Sequence, residues 1–502
     1  MQNKQPSRKK AFITQAVGGY ILTIISIVKG LLLLPLYFQY ISYDMYGYWI
    51  TIGSIVSLIS VINFGIGTMV MQRISKAYAK KDFQEIGNYF MSSLFVYIFI
   101  SVIFLSLGFI LSLWLENILH ISAEELKDLK VAFYIALFTM MISFFSNAFR
   151  GFAGALLKPL FGIKVMITSN LFGIFLVIFL LNNNFGLLSL PISLLVTELL
   201  IVILCGIYVL VLYKNFNIKS KIKLIILKEY FTFSPHLFGL VIGNKLLENS
   251  HPIIITTFLG SEVTTAYDVT RKVIDIILRA LHVLNASLLA PFSHLVGEGD
   301  KTHIQQTTIK IIRISFLMVI LGYSVYISTN YMFVSLWLGK DVTLDQNIIL
   351  FIGLSAFIFS INRLLRSLLF GFNEIKFATN SVLKEGLVYL LLSYILINIY
   401  GVIAIPISML LASSYFLWKL WMKISENINI TVKKMIIIKN FIMLLTIFIL
   451  LCISDLITID NSWLLFITKV CTITFLIVII EILFYFDYIK QEISYKGAKF
   501  EE

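Results

Sequence analysis

Apolar residues run along this chain in blocks of about 20 or more, long enough to cross a bilayer as helices, and short polar groups separate the blocks. Fourteen spans follow from the pattern: 11–38, 46–71, 88–114, 130–156, 160–182, 186–213, 230–258, 263–290, 307–334, 347–371, 375–399, 401–424, 435–457 and 462–488. No polar or Pro/Gly/Ser-rich stretch is long enough for a soluble domain. The pattern therefore predicts an all-α polytopic membrane protein with fourteen transmembrane helices.

Composition agrees: 59% of the 502 residues are hydrophobic and 13% charged, with a mean hydropathy of +0.92. The net charge of +13 raises the question of nucleic acid. The bases, however, gather in alternate loops, among them Arg73 to Lys81, Lys158 and Lys164, Lys214 to Lys228, and Lys301 to Arg313, while the intervening loops are acidic or neutral. That is the positive-inside pattern, so no nucleic-acid partner is expected. An even number of spans puts both termini in the cytoplasm. Lys4 to Lys10 precede a long apolar run without a small-residue cleavage site, which reads as a retained first helix. Cys205, Cys452 and Cys471 lie in apolar helices and read as packing residues; no disulfide, metal site or cofactor is indicated.

The chain also resembles itself. Y-G-V-I-A-I-P-I-S-M-L at 400–410 repeats F-G-L-L-S-L-P-I-S-L-L at 185–195, a shift of 215, and a weaker match at a shift of 218 sets Glu262 on Asp44 and Asp300 on Asp82. Two six-helix halves follow, with two helices appended: residues 1–222, 223–428 and 429–502. Six is even, so both halves enter the membrane the same way round. Parallel repeats of this kind hold substrate between them near the midplane.

The eighth span, 263–290, breaks the apolar rule. At about 100° per residue, Asp268, Arg271, Lys272, Asp275, Arg279 and His282 fall within an arc of about 100°, and every Val, Ile and Leu of 266–282 lies outside it. Each Asp, Lys or Arg facing lipid at mid-membrane costs roughly 2.5–3.5 kcal/mol, which excludes a lipid-facing stripe. Two readings stay open. Either the charges form an internal ladder of i,i+4 pairs, or they line an aqueous cavity, where three bases against two acids would suit an anionic substrate.

Other intrusions are sparser. Lys29, on the first span, lines a cavity, pairs with Glu198 or snorkels. Glu248 and His251 are expected at the outer end of the seventh span, interfacial or functional. Arg150, Arg363 and Arg366 read equally well as cations snorkelling to the basic surface, and Lys384 and Glu385 as neighbours solvated near a helix end. His236 reads as a packing residue. No Gly-rich phosphate loop, metal spacing or nucleophile elbow is present, so an enzyme is not expected.

The runs P-L-Y-F-Q-Y-I-S-Y-D-M-Y-G-Y-W, 35–49, and I-N-F-G-I-G-T, 62–68, followed by Arg73 and Asp82, resemble the first helix pair of bacterial polysaccharide flippases of the multidrug/oligosaccharidyl-lipid/polysaccharide exporter superfamily. F-L-G-S-E-V-T-T-A-Y-D, 258–268, and P-F-S-H-L-V-G-E-G-D, 291–300, resemble the matching part of the second half. The resemblance implies two lobes that alternate access to a central cationic cavity. It implies as substrate an undecaprenyl-diphosphate-linked oligosaccharide, an O-antigen or capsular repeat unit, crossing the bacterial inner membrane. A polysaccharide polymerase and chain-length machinery, as in lipopolysaccharide assembly, would be further partners besides membrane lipid. The cavity cations would be Lys29, where some relatives carry Arg, and Arg271, Lys272 and Arg279. Asp268, Asp275, Glu198 and His282 would serve coupling or pairing. A cation-coupled multidrug exporter and a peptidoglycan lipid-precursor flippase stand as alternatives. A polymerase or ligase would need a long outward loop, which the pattern lacks.

Overall fold

The computed structural model describes residues 8–63, 66–121, 123–232, 235–339, 342–428 and 462–500. The predicted span 435–457, with Cys452, and the side chains of Gln15, His236 and His282 lie outside the described residues. Every described element is helical. In chain order they are α1 (Arg8–Tyr40), α2 (Tyr43–Ile59), α3 (Ile66–Ala79), α4 (Phe83–Ser112), α5 (Leu115–Leu119), α6 (Ala123–Ala155), α7 (Pro159–Asn182), α8 (Ser189–Asn215), α9 (Leu224–Thr232), α10 (Pro235–Asn249), α11 (His251–Leu259), α12 (Ser261–Glu298), α13 (Lys301–Leu338), α14 (Gln346–Gly371), α15 (Ile375–Tyr400), α16 (Ala404–Ile428) and α17 (Trp463–Phe500). Ten stretches among the described residues are long and apolar enough to cross a membrane, one of them covering both α15 and α16. The stretch 261–281 of α12 holds Glu262, Asp268, Arg271, Lys272, Asp275 and Arg279, so it is not among the ten.

Two predicted spans are broken. The span 46–71 ends its first helix at Ile59, passes through a 3-10 turn, Ser60–Asn63, and resumes at Ile66. The Ser60 hydroxyl donates to the Ser57 carbonyl at 2.7 Å, and Asn63 and Gly67 are poor helix formers. The span 230–258 is three helices, α9, α10 and α11. Pro252 sits in the first turn of α11, where its missing N–H costs nothing but where α10 could not have continued through it.

The self-resemblance appears as matched local structure. Gly186 and Gly401 both take positive φ, +49° and +65°, and each opens one 3-10 turn, Gly186–Leu188 and Gly401–Ile403, before a long helix. Asp82 and Asp300 both cap the next helix: Asp82 accepts from Glu85 N–H at 2.8 Å, and Asp300 from Thr302 and His303 N–H at 3.0 and 3.1 Å.

Packing divides the chain into two compact units, Met1–Thr265 and Ala266–Glu502. In the first, α6 packs on α4 and α8, α7 on α1 and α8, and α2 on α6, α10 and α11. Hydroxyls fasten the end of α11 and the first turn of α12 to α2: Thr51 meets Thr256 at 2.5 Å, Thr256 meets Thr264 at 2.7 Å, Ser261 donates to Asp44 at 2.7 Å, and Thr265 donates to the Tyr43 carbonyl at 2.6 Å. In the second unit α14 packs on α13 and α16, α15 on α16, and α13 on α17. Large apolar side chains such as Phe95, Ile98, Phe175, Leu210 and Leu391 are exposed, as lipid-facing surfaces require.

Candidate functional site: the charged face of the eighth span

On α12 two of the expected i,i+4 pairs form. Lys272 Nζ lies 2.6 Å from Asp268 Oδ2, and an Arg271 guanidinium nitrogen donates to Asp275 Oδ1 at 3.1 Å. Arg271 is drawn inward, 7% exposed, with its guanidinium carbon 5.9 Å from the centre of the Tyr267 ring. The neighbouring helix braces this turn. Tyr326 Oη and Asn330 Nδ2, on α13, each donate to the Thr270 carbonyl at 3.1 Å, a bond beyond the helix's own. Arg279, two turns on, is exposed. The face thus has a braced stretch, Asp268 to Asp275, and farther along it an exposed cation, Arg279.

Lys29 is half-buried on α1, and no ion pair joins it to another described residue. Glu198 is occupied elsewhere, accepting from Ser146 Oγ at 2.8 Å. Arg150 is half-buried: its Nε donates to the Ser146 carbonyl at 3.3 Å, and its terminal nitrogens reach Met166 Sδ and Asn147 Oδ1. Lys245 Nζ donates to Ser57 Oγ at 2.6 Å, tying α10 to α2. His251, expected near the interface, is buried.

A second polar centre was hidden in the sequence. Glu385, expected to be solvated, is fully buried, and Arg366, read as equally able to snorkel, is 3% exposed; the two form an ion pair between α14 and α15. Glu385 Oε1 also accepts from Ser413 Oγ at 2.7 Å and Asn362 Nδ2 at 3.2 Å. Arg366 Nε donates to Ser381 Oγ at 3.2 Å. Lys384, its neighbour, is exposed as expected. A charge pair at this depth survives because each ion has both a counter-ion and hydrogen bonds. The available signal was spacing: Asn362 and Arg366, and Ser381 and Glu385, each stand four residues apart inside apolar runs.

Residues 49–179 match the MatE family model. No curated protein sequence matches the chain. Among solved structures, the lipid II flippase MurJ in an inward closed conformation is similar with a TM-score of 0.68 at 16% identity, covering 95% of this chain and 100% of that one. An inward-facing multidrug resistance MATE family transporter of the MOP superfamily gives 0.64 at 14% identity, over 82% and 100%. A MOP superfamily transporter from Pyrococcus furiosus gives 0.56 at 14% identity, over 85% and 98%. The chain is a multi-pass membrane protein, and its helices are arranged in the fold that MurJ and the MATE transporters share.

Proposed function

We propose that this protein is a flippase that carries undecaprenyl-diphosphate-linked O-antigen or capsular repeat units from the cytoplasmic to the outer leaflet of a bacterial inner membrane by alternating access. The observation that carries the reading is the α12 face, which holds three bases against two acids and presents Arg279 at an exposed position. A guanidinium in an intramembrane helix is costly against lipid and favourable against a diphosphate, which it contacts with two parallel N–H donors. In this reading Arg279, with Lys29 and Lys272, draws in the diphosphate, while Arg271 and Asp275 hold the helix face rigid. Asp268, Asp275, Glu198 and His282 are the candidates for coupling.

The likeness to the lipid II flippase extends over 95% of this chain against 82% for the multidrug transporter, which supports a lipid-linked cargo. The Pyrococcus furiosus transporter has a binding pocket of reverse polarity that suggests a different function, so the fold is not tied to one function. A cation exporter would want an acidic face where α12 is net basic. The peptidoglycan lipid-precursor flippase is the second reading, favoured by the same coverage.

Deletion of the gene should remove surface polysaccharide and build up prenyl-linked repeat units. The wild-type gene should restore export, and Arg279→Ala should not, although that variant reaches the membrane in normal amount. Arrested cell-wall synthesis would favour the second reading. Normal surface sugar with raised drug sensitivity would sink both.

A further inference from the structure

The segment between α8 and α9 is folded as a strap along α4. Its backbone comes so close to Gly87 that a Cβ there would strike the Lys219 carbonyl. Farther up, Lys221 N–H donates to Asn88 Oδ1 at 2.8 Å and Lys223 N–H to Ser92 Oγ at 3.3 Å. From Gly87 to Ser92 the helix rises about 7.5 Å, so the strap climbs from the basic end of the unit toward the membrane interior. Ile218, Ile226 and Tyr230 are buried beneath it, Tyr230 Oη donates to the Tyr89 carbonyl at 2.9 Å, and Arg73 pairs with Glu229. At its foot Phe216 stacks on Phe83, ring centres 5.4 Å apart.

The outward side of this anchored strap mixes two kinds of residue. Lys214, Lys219, Lys221 and Lys223 are exposed, and so are Ile222 at 51% and Leu224 and Ile225 at 77% each. The level in the membrane resolves the mixture. Ser92 lies one to two turns before Phe95, Ile98 and Phe99, where α4 begins to present large apolar side chains outward. On α8, Leu210 and Val211 are exposed in the turn before Lys214. The strap therefore lies where headgroups give way to acyl chains. We infer that it is a binding surface for anionic phospholipid, with Ile222, Leu224 and Ile225 entering the acyl layer and the four lysines holding headgroup phosphates. A soluble polyanion would match the lysines but leave the apolar side chains in water; lipid covers both. This surface shares no residue with the α12 face and is independent of what the protein transports.

The test uses the full-length protein in micelles carrying phosphatidylglycerol or phosphatidylcholine, with retained lipid counted by native mass spectrometry. Phosphatidylglycerol should be preferred. The preference should fall roughly tenfold or more in the Lys214→Gln, Lys219→Gln, Lys221→Gln, Lys223→Gln variant and persist when the same four become Arg, while excess inorganic phosphate should not displace the lipid. Ile222→Ser with Leu224→Ser and Ile225→Ser should weaken retention of both lipids. An unchanged preference in the glutamine variant overturns the inference, as does full displacement by inorganic phosphate. Should the glutamine variant not elute as a single species, the serine variant decides alone, and unchanged retention there overturns it.

Discussion

Arg366 and Glu385 can each be held in an apolar span only because the other is there. With both side chains buried, Arg366→Met leaves a carboxylate with hydrogen bonds and no cation, and stability should drop by about 3–5 kcal/mol. Adding Glu385→Leu should recover most of the loss, since a well-packed apolar pair often replaces a buried ion pair at little cost. The temperature at which half the protein stays soluble after heating in detergent measures both; a single variant as stable as the wild type would mean that Glu385 is not held as an ion. The α12 charges were legible in the sequence because several residues agreed on one face of one helix, and two of the expected pairs, Asp268 with Lys272 and Arg271 with Asp275, form. Arg366 and Glu385 were not, because the spacing of Asn362 with Arg366 and of Ser381 with Glu385 carries no mark of depth and the two ions lie on different helices. The partners of Arg150 were hidden for the same reason: nothing in its own helix shows that Met166 lies within reach.

At the scale of elements, most helices were legible from apolar run length, and the errors fall where a run hides a backbone break. Asn63 and Gly67 in one span and Pro252 in another lie within stretches apolar enough to pass for continuous helices, and hydropathy does not register the hydrogen bonds those residues lose. Close approach was equally invisible. Gly47 on α2 faces the Ser261 carbonyl, which a Cβ would strike, whereas Gly53 on the same helix faces open space. Gly47→Ala should therefore destabilise by about 1–3 kcal/mol, as a methyl forced against backbone does. Gly53→Ala should be neutral or stabilising by up to about 1 kcal/mol through helix propensity. Melting followed by tryptophan fluorescence compares the two; equal effects would mean that α2 and the start of α12 can move apart freely.

For the whole molecule, the alternation of basic and acidic connections gives a falsifiable topology. Alkaline phosphatase inserted at His120, a left-handed turn residue closing α5, should be active outside the cytoplasm, while the same insertion at Gly299 should be silent; activity at Gly299 would invert the orientation. The long-range order of the fold was legible because lipid leaves so few solutions for a polar backbone. What the sequence withheld was the pairing of polar groups across helices, and that pairing bears on biogenesis. The α12 charges find partners four residues away on the same helix, so α12 brings its own counter-ions when it leaves the ribosome. Arg366 on α14 has to wait for Glu385 on α15, nineteen residues later in synthesis. A nascent chain halted at Phe372 therefore holds a cation with nothing to neutralise it, and α14 and α15 must enter the bilayer as one hairpin.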